Sequence, residues 1–213
     1  AAYAARVRGE DSVAVCWFGD GATSEGATHE AMNLAAVHAL PVVFVCEDNG
    51  YAISVPRVEQ MAVSSLVQRA AGYGIAGTDL DGTDAASVLG ATRDAVARAR
   101  RGDGPALLQL RVPRMTPHSS QDDDGYRSEQ ELADAQAADP VARLRRTLLD
   151  AGVLDGHADA ALVAEARSAV IADQDLALAM PPPDASRARR WLFAGDGAHE
   201  PPRPEPAIGV FGD

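Results

Sequence analysis

Gly19-Asp20-Gly21-Ala22-Thr23-Ser24-Glu25-Gly26 and, one strand–helix–strand unit later, Glu47-Asp48-Asn49-Gly50-Tyr51 are the two stretches that decide the reading of this chain. The first follows the apolar run Ser12–Phe18 and opens a helix-like segment. The second follows the apolar run Pro41–Cys46. In a right-handed strand–helix–strand unit, neighbouring parallel strands end on the same sheet edge, which is where open α/β sheets bind ligands. Asp20 and Asn49 are therefore expected to face each other across a few ångströms.

A glycine-flanked turn at a helix start suits phosphate, because free N–H groups and the helix dipole point at it. A carboxylate in the middle of that turn does not, unless a cation lies between. The pattern thus implies Mg²⁺, a hard ion that takes about six oxygens and commonly keeps substrate phosphates among them. Asp20 offers a carboxylate, Asn49 an amide oxygen and Tyr51 a backbone carbonyl. Two diphosphate oxygens and a water would complete the shell.

Gly-Asp-Gly followed after a gap by a terminal Asn resembles the diphosphate motif of thiamine-diphosphate enzymes. The longer text of residues 19–56, GDGATSEGATHEAMNLAAVHALPVVFVCEDNGYAISVP, is similar to one branch of them, the alpha subunit of the dehydrogenase component of 2-oxo acid dehydrogenase complexes. The resemblance implies an α/β fold with a doubly wound parallel sheet. It further implies a cofactor contact set of Gly19, Asp20, Gly21, Ala22, Asn49 and Tyr51, with thiamine diphosphate and Mg²⁺ as cofactors and Asp20, Asn49 and Tyr51 on the metal. His118, in Arg114-Met115-Thr116-Pro117-His118-Ser119, resembles the family's histidine loop, which places it on the diphosphate or the reacting centre in a catalytic role. The implied reaction is oxidative decarboxylation of a 2-oxo acid with acyl transfer to a lipoyl-bearing acyltransferase. A beta subunit, in an alpha2beta2 assembly, would supply the glutamate that activates the cofactor. His118-Ser119-Ser120, Tyr126-Arg127-Ser128 and Gly50-Tyr51-Ala52-Ile53-Ser54 lean toward branched-chain members. Ser119 and Ser128 resemble positions phosphorylated in eukaryotic relatives. The usual motif ends Asn-Asn, whereas here Asp48 precedes Asn49, adding charge near an anionic cofactor.

Along the rest of the chain, Ser12–Phe18 and Pro41–Cys46 read as buried strands and Pro105–Val112 as a third. Ser24–Ala39 reads as a helix capped near Ser24 or Thr28, rich enough in alanine to pack closely. A short helical pattern occupies Ser64–Ala71, and a longer one Ala85–Arg101, entered through the turn Asp81–Asp84. Residues 113–127 break all periodicity, which in a compact domain points to function or disorder rather than a plain connector. Within them Asp122–Asp124 reads as a solvated acidic stretch paired with Arg127. Helices follow at Glu129–Ala138, Pro140–Ala151 and Asp155–Met180. The expected organisation is a cofactor-binding domain 1–150, a helical extension 151–183 and a Pro-rich tail 184–213, in which the second Gly195-Asp196-Gly197 reads as an unrelated turn.

The 213 residues carry 31 acidic against 19 basic side chains, a formal charge of −12. Such a surface argues against nucleic acid and anionic membranes as partners. No apolar run approaches the roughly 20 residues of a membrane span. Cys16 and Cys46 lack metal spacing and read as reduced core residues of a cytoplasmic protein. The start, Ala1-Ala2-Tyr3, reads as the end of a helix and the chain as a piece of a longer one. Two other readings stay open: an NAD-binding dinucleotide fold, though Ser24 stands where its third glycine belongs, and a non-catalytic piece that keeps only subunit contacts.

Overall fold

The computed structural model describes residues 1–185 and residue 187; the second Gly-Asp-Gly and almost all of the proline-rich tail lie outside the described residues. Ala1–Gly156 form one compact unit. Its sheet holds four parallel strands in the order β1 (Ala14–Gly19), β2 (Val42–Asp48), β6 (Ala106–Arg111) and β5 (Ala76–Asp81). Between β2 and β5 a two-stranded hairpin, β3 (Tyr51–Ala52) and β4 (Val55–Pro56), turns through Ile53 at φ 57°.

The alternation of side chains along β2 shows why the sheet is covered on both faces. Val42, Phe44 and Cys46 point into one core with Met32 and Ala35 of α2 (Gly26–Val37) and Leu66 and Ala70 of α4 (Leu66–Gly72). Val43 and Val45 point into the other, with Leu108 and Leu110 of β6 and Ala95 of α5 (Ala85–Arg100). The doubly wound arrangement is thus present. Of the alanines of α2, Ala35 is buried, Ala36 half-buried, and Ala27 and Ala31 are exposed, so close packing is confined to one side of the helix.

Two strands depart from expectation. β1 is a strand but not a buried one: as the outer strand of the sheet, it leaves Trp17 59% exposed, and Cys16 is exposed rather than in the core. Cys46 is buried, which pushes its thiol pKa far up. β5 was not legible as a strand, because Ala76-Gly77-Thr78-Asp79-Leu80-Asp81 is an edge with no apolar run. Its glycine is needed for space: a Cβ at Gly77 would lie 2.8 Å from Val67 Cγ1 on α4.

The helix after the first motif starts later than expected, and neither Ser24 nor Thr28 caps it. Asp20–Ser24 form a 3-10 turn, Glu25 stands at the N-cap position of α2 without a side-chain cap, and Thr28 Oγ1 instead donates back to Ala22 O at 2.7 Å. Beyond β6 come α6 (Glu129–Ala137), entered through a capping box of Ser128 and Glu131, and α7 (Pro140–Asp150), capped by Asp139. The 24-residue helix α8 (Gly156–Ala179) leads the second unit. Among the described residues no helix is long and apolar enough to cross a membrane.

Candidate cofactor site

Register brings the two motifs together. Gly19 pairs with Glu47 and Asp48 with Arg111, so Asp20, Asn49 and the loop after β6 leave the sheet at one edge. Adjacent strands lie about 4.8 Å apart, which sets the reach between the motifs. Gly21 closes the remaining gap: a Cβ there would sit 2.6 Å from Ala52 Cβ and 3.1 Å from Ala52 Cα. The turn that carries Asp20 and the hairpin that follows Asn49 therefore touch, with room for hydrogen alone.

Asp20 is 1% exposed, and neither of its carboxylate oxygens has a hydrogen-bond partner among the described residues. Desolvation, then the charge of Asp48, raise its pKa from 3.8 to about 6. The N–H groups of Asp20 and Asn49, and the charge of Arg57, pull it partly back without closing a hydrogen bond on either oxygen. Burying a carboxylate without partners is costly. The cost is removed by a cation, and the donors around Asp20 suit a hard one. Asn49 Oδ1 accepts from Tyr51 N at 3.0 Å and keeps a second lone pair. Tyr51 faces Pro56 across the hairpin, and proline has no N–H to occupy the Tyr51 carbonyl. Among the described residues no cluster of three or more His, Cys, Asp and Glu could hold an ion by itself. The residues thus fit an ion that draws the rest of its shell from a ligand such as diphosphate.

The 3-10 turn itself is braced. Thr23 Oγ1 donates to Asp20 O at 2.6 Å, and Arg69 of α4 donates to Thr23 O at 2.9 Å. Gly19, at the end of β1, and Ala22, whose carbonyl receives Thr28, complete the turn.

The second motif opens onto a cleft of about 620 Å³ lined by Asn49, Tyr51, Arg57, Arg114, Arg127 and Glu131 among others. The Tyr51 ring is tied into its far wall. Its hydroxyl donates to Glu131 at 2.7 Å, and the guanidinium of Arg114 lies 5.3 Å from its centroid. Arg114 Nη2 and Arg127 Nη1 each reach Asp124, both at 2.9 Å, and all three side chains are buried. Asp124 is therefore no solvated residue, though its pairing with Arg127 is as expected. Its backbone takes a left-handed φ of 57°, which aspartate tolerates. Asp122 orders the same loop by accepting from His118 N at 2.8 Å, Asp124 N at 3.0 Å and Tyr126 Oη at 2.8 Å.

The structure brings together Gly19, Asp20, Gly21, Ala22, Asn49 and Tyr51. His118 lies in the loop after β6, exposed, and is not among the residues lining the cleft. Sequence reasoning missed Ala52, Arg57, Arg69 and Gln109. Only Gln109 carried a visible signal, as the one polar residue inside the apolar strand Ala106–Leu110.

Comparison with known proteins adds the lineage. Residues 1–186 match the family model described as "Dehydrogenase E1 component". The chain is 42% identical over 165 residues, 77% of its length and 50% of the relative's, to 2-oxoisovalerate dehydrogenase subunit alpha of Bacillus subtilis (strain 168). It is 42% identical over 168 residues, 78% and 46% of the two lengths, to 3-methyl-2-oxobutanoate dehydrogenase subunit alpha of Mycobacterium tuberculosis (strain ATCC 25618 / H37Rv). Pyruvate dehydrogenase E1 component subunit alpha of Staphylococcus aureus (strain Mu50 / ATCC 700699) is 40% identical over 154 residues, 71% and 42% of the two lengths. The chain spans about half the length of the curated relatives it matches.

Proposed function

This chain belongs to the dehydrogenase E1 component family, and from that premise we propose that it carries the diphosphate–metal half of a thiamine-diphosphate-dependent 2-oxo acid dehydrogenase, as its alpha subunit. The observation that carries this reading is the Asp20 carboxylate, buried with both oxygens unpartnered beside Asn49. Asp20, Asn49 and the Tyr51 carbonyl would hold Mg²⁺. The N–H groups of the turn that begins Gly19-Asp20-Gly21-Ala22 would lie against the diphosphate. When bound, thiamine diphosphate supplies the carbon nucleophile and electron sink that decarboxylation needs.

This chain's own part is binding and orientation. Asp20 and Asn49 fix the anionic end of the cofactor, and Gly21 lets the two motif halves close on it. His118, on a loop anchored by Asp122 and Asp124, would reach the diphosphate or the carbonyl-derived oxygen and stabilise charge there. The substrate is a 2-oxo acid, branched-chain by the names of two relatives and pyruvate by that of a third. The acyl group passes to a lipoyl arm on a partner acyltransferase. A beta subunit, in an alpha2beta2 assembly, completes the site and supplies the group that activates the cofactor. The free thiols of Cys16 and Cys46 suit a cytoplasmic setting. The family match runs through the Gly19–Gly21 turn, which accounts for it without a dinucleotide.

The test is calorimetric titration of thiamine diphosphate into the full-length protein assembled with its beta subunit, with Mg²⁺ and with chelator. Mg²⁺-dependent binding that Asn49→Ala abolishes is the expected result. No binding by the assembled wild type would move the non-catalytic reading to first place.

A further inference from the structure

Asp48, the residue before Asn49, is a second buried acid at this edge, and it is a problem the fold has solved. Asp48 is 4% exposed and sits on the sheet edge where Asp20 is buried too. Its charge acts on Asp20, raising the proton affinity there. A diphosphate on the same edge would add still more negative charge.

Three groups converge on the Asp48 carboxylate. Gly50 N donates to Oδ1 at 3.2 Å, Gln109 Nε2 donates to Oδ2 at 2.6 Å, and Arg57 Nη1 forms an ion pair with Oδ2. Gln109 cannot turn away. Its Oε1 accepts from Ser65 Oγ and Leu66 N, both at 2.7 Å, so its amino group is aimed at Asp48. Gln109 is neutral, however, and among the described residues only Arg57 forms an ion pair with Asp48. Arg57 also holds the turn from the other side, since its backbone N–H donates to Gly50 O at 2.8 Å. Its side chain is 29% exposed, buried enough for the pairing to count.

We propose that Arg57 is a positioning residue of the Asp20–Asn49 site: by neutralising Asp48 and pinning the Asn49–Tyr51 turn, it lets a cation–diphosphate pair bind beside a buried carboxylate. This rests on the cofactor reading above. The competing role is direct contact, with Arg57 reaching the phosphates itself. The two differ in what Asp48 does. If Arg57 serves Asp48, losing Asp48's charge removes the need for it; if Arg57 serves the phosphates, it does not.

The experiment is a double-mutant cycle on the full-length protein assembled with its beta subunit, using Arg57→Met, Asp48→Asn and the double variant. Two quantities are read: Mg²⁺-dependent thiamine diphosphate affinity by calorimetry, and thermal melting without cofactor. Arg57→Met is expected to weaken binding about tenfold or more and to lower the melting temperature, because it leaves a buried charge unpaired. In the Asp48→Asn background the same change should cost less than about twofold and barely move the melt. A loss that persists in that background overturns the proposal in favour of direct phosphate contact, and no loss in Arg57→Met overturns it outright. A wild type that binds no cofactor sinks the reading of the preceding section instead. The cofactor-free melts then decide the pairing alone: recovery by Asp48→Asn upholds it, and absence of recovery ends it.

Discussion

A single buried carboxylate shapes the chemistry of this edge. Asp20 holds its proton up to about pH 6, whereas in the unfolded chain it releases it near 3.8. Its folded pKa is raised, so the stability it contributes is full below pH 3.8 and is lost as pH rises through 6. The cofactor-free wild type should therefore lose on the order of 2 kcal/mol between pH 4 and 7 relative to Asp20→Asn. Subtracting the variant's urea-unfolding profile from the wild type's isolates this residue from Asp81 and Asp122, whose lowered pKa values act at lower pH. A flat difference would mean that Asp20 is already neutralised by a partner. At the proposed site Mg²⁺ and a proton would compete for the same Asp20 oxygens, so metal-dependent cofactor binding should weaken below pH 6. Asp20 and Asn49 were legible in the sequence because glycines and strand ends frame them. Arg57 was not, since its role depends on a partner that only the fold brings near.

At the scale of elements, the loop between β6 and α6 is held by a buried charge triad rather than by regular structure. Asp124 stands between Arg114 and Arg127, and Tyr51 packs against Arg114 and bonds α6 through Glu131. Asp124→Asn keeps the left-handed backbone but leaves two buried guanidinium groups facing a neutral amide. It should cost about 3 kcal/mol in urea unfolding, and limited proteolysis should cut earliest within residues 113–127. If cleavage moves elsewhere, the triad is not what orders the loop. Strands β2 and β6 were readable because apolar residues dominate each, Val42–Cys46 in the one and Ala106–Leu108 with Leu110 in the other, and helices α5, α6 and α7 because caps and periodicity agree. β5 escaped because an edge strand need bury little, and the burial of Asp124 escaped because three adjacent aspartates look solvated until the fold sets one between Arg114 and Arg127.

At the scale of the whole molecule, the proposed part of this chain is to bind and orient, and the group that activates the cofactor is proposed to come from the beta subunit. The isolated chain should therefore release no CO₂ from 2-oxo acids, with turnover appearing only once the beta subunit is added. Decarboxylation by the purified chain alone, followed with isotopically labelled substrate, would remove the need for a composite site. The formal charge of −12 makes association with acidic partners salt-sensitive and leaves neutral or basic surfaces as the favoured ones.

The contact of Gly21 with Ala52 carries a consequence for descent. Gly21 has no left-handed backbone to explain it, so Ala52 is what forbids a larger residue there, above all through its methyl. The two positions share one methyl group's worth of room. Lineages should be able to trade it but not to duplicate it. Gly21→Ala alone should abolish cofactor binding, whereas Gly21→Ala with Ala52→Gly should recover much of it. Across related sequences the two positions should then drift as a pair, one small whenever the other is not.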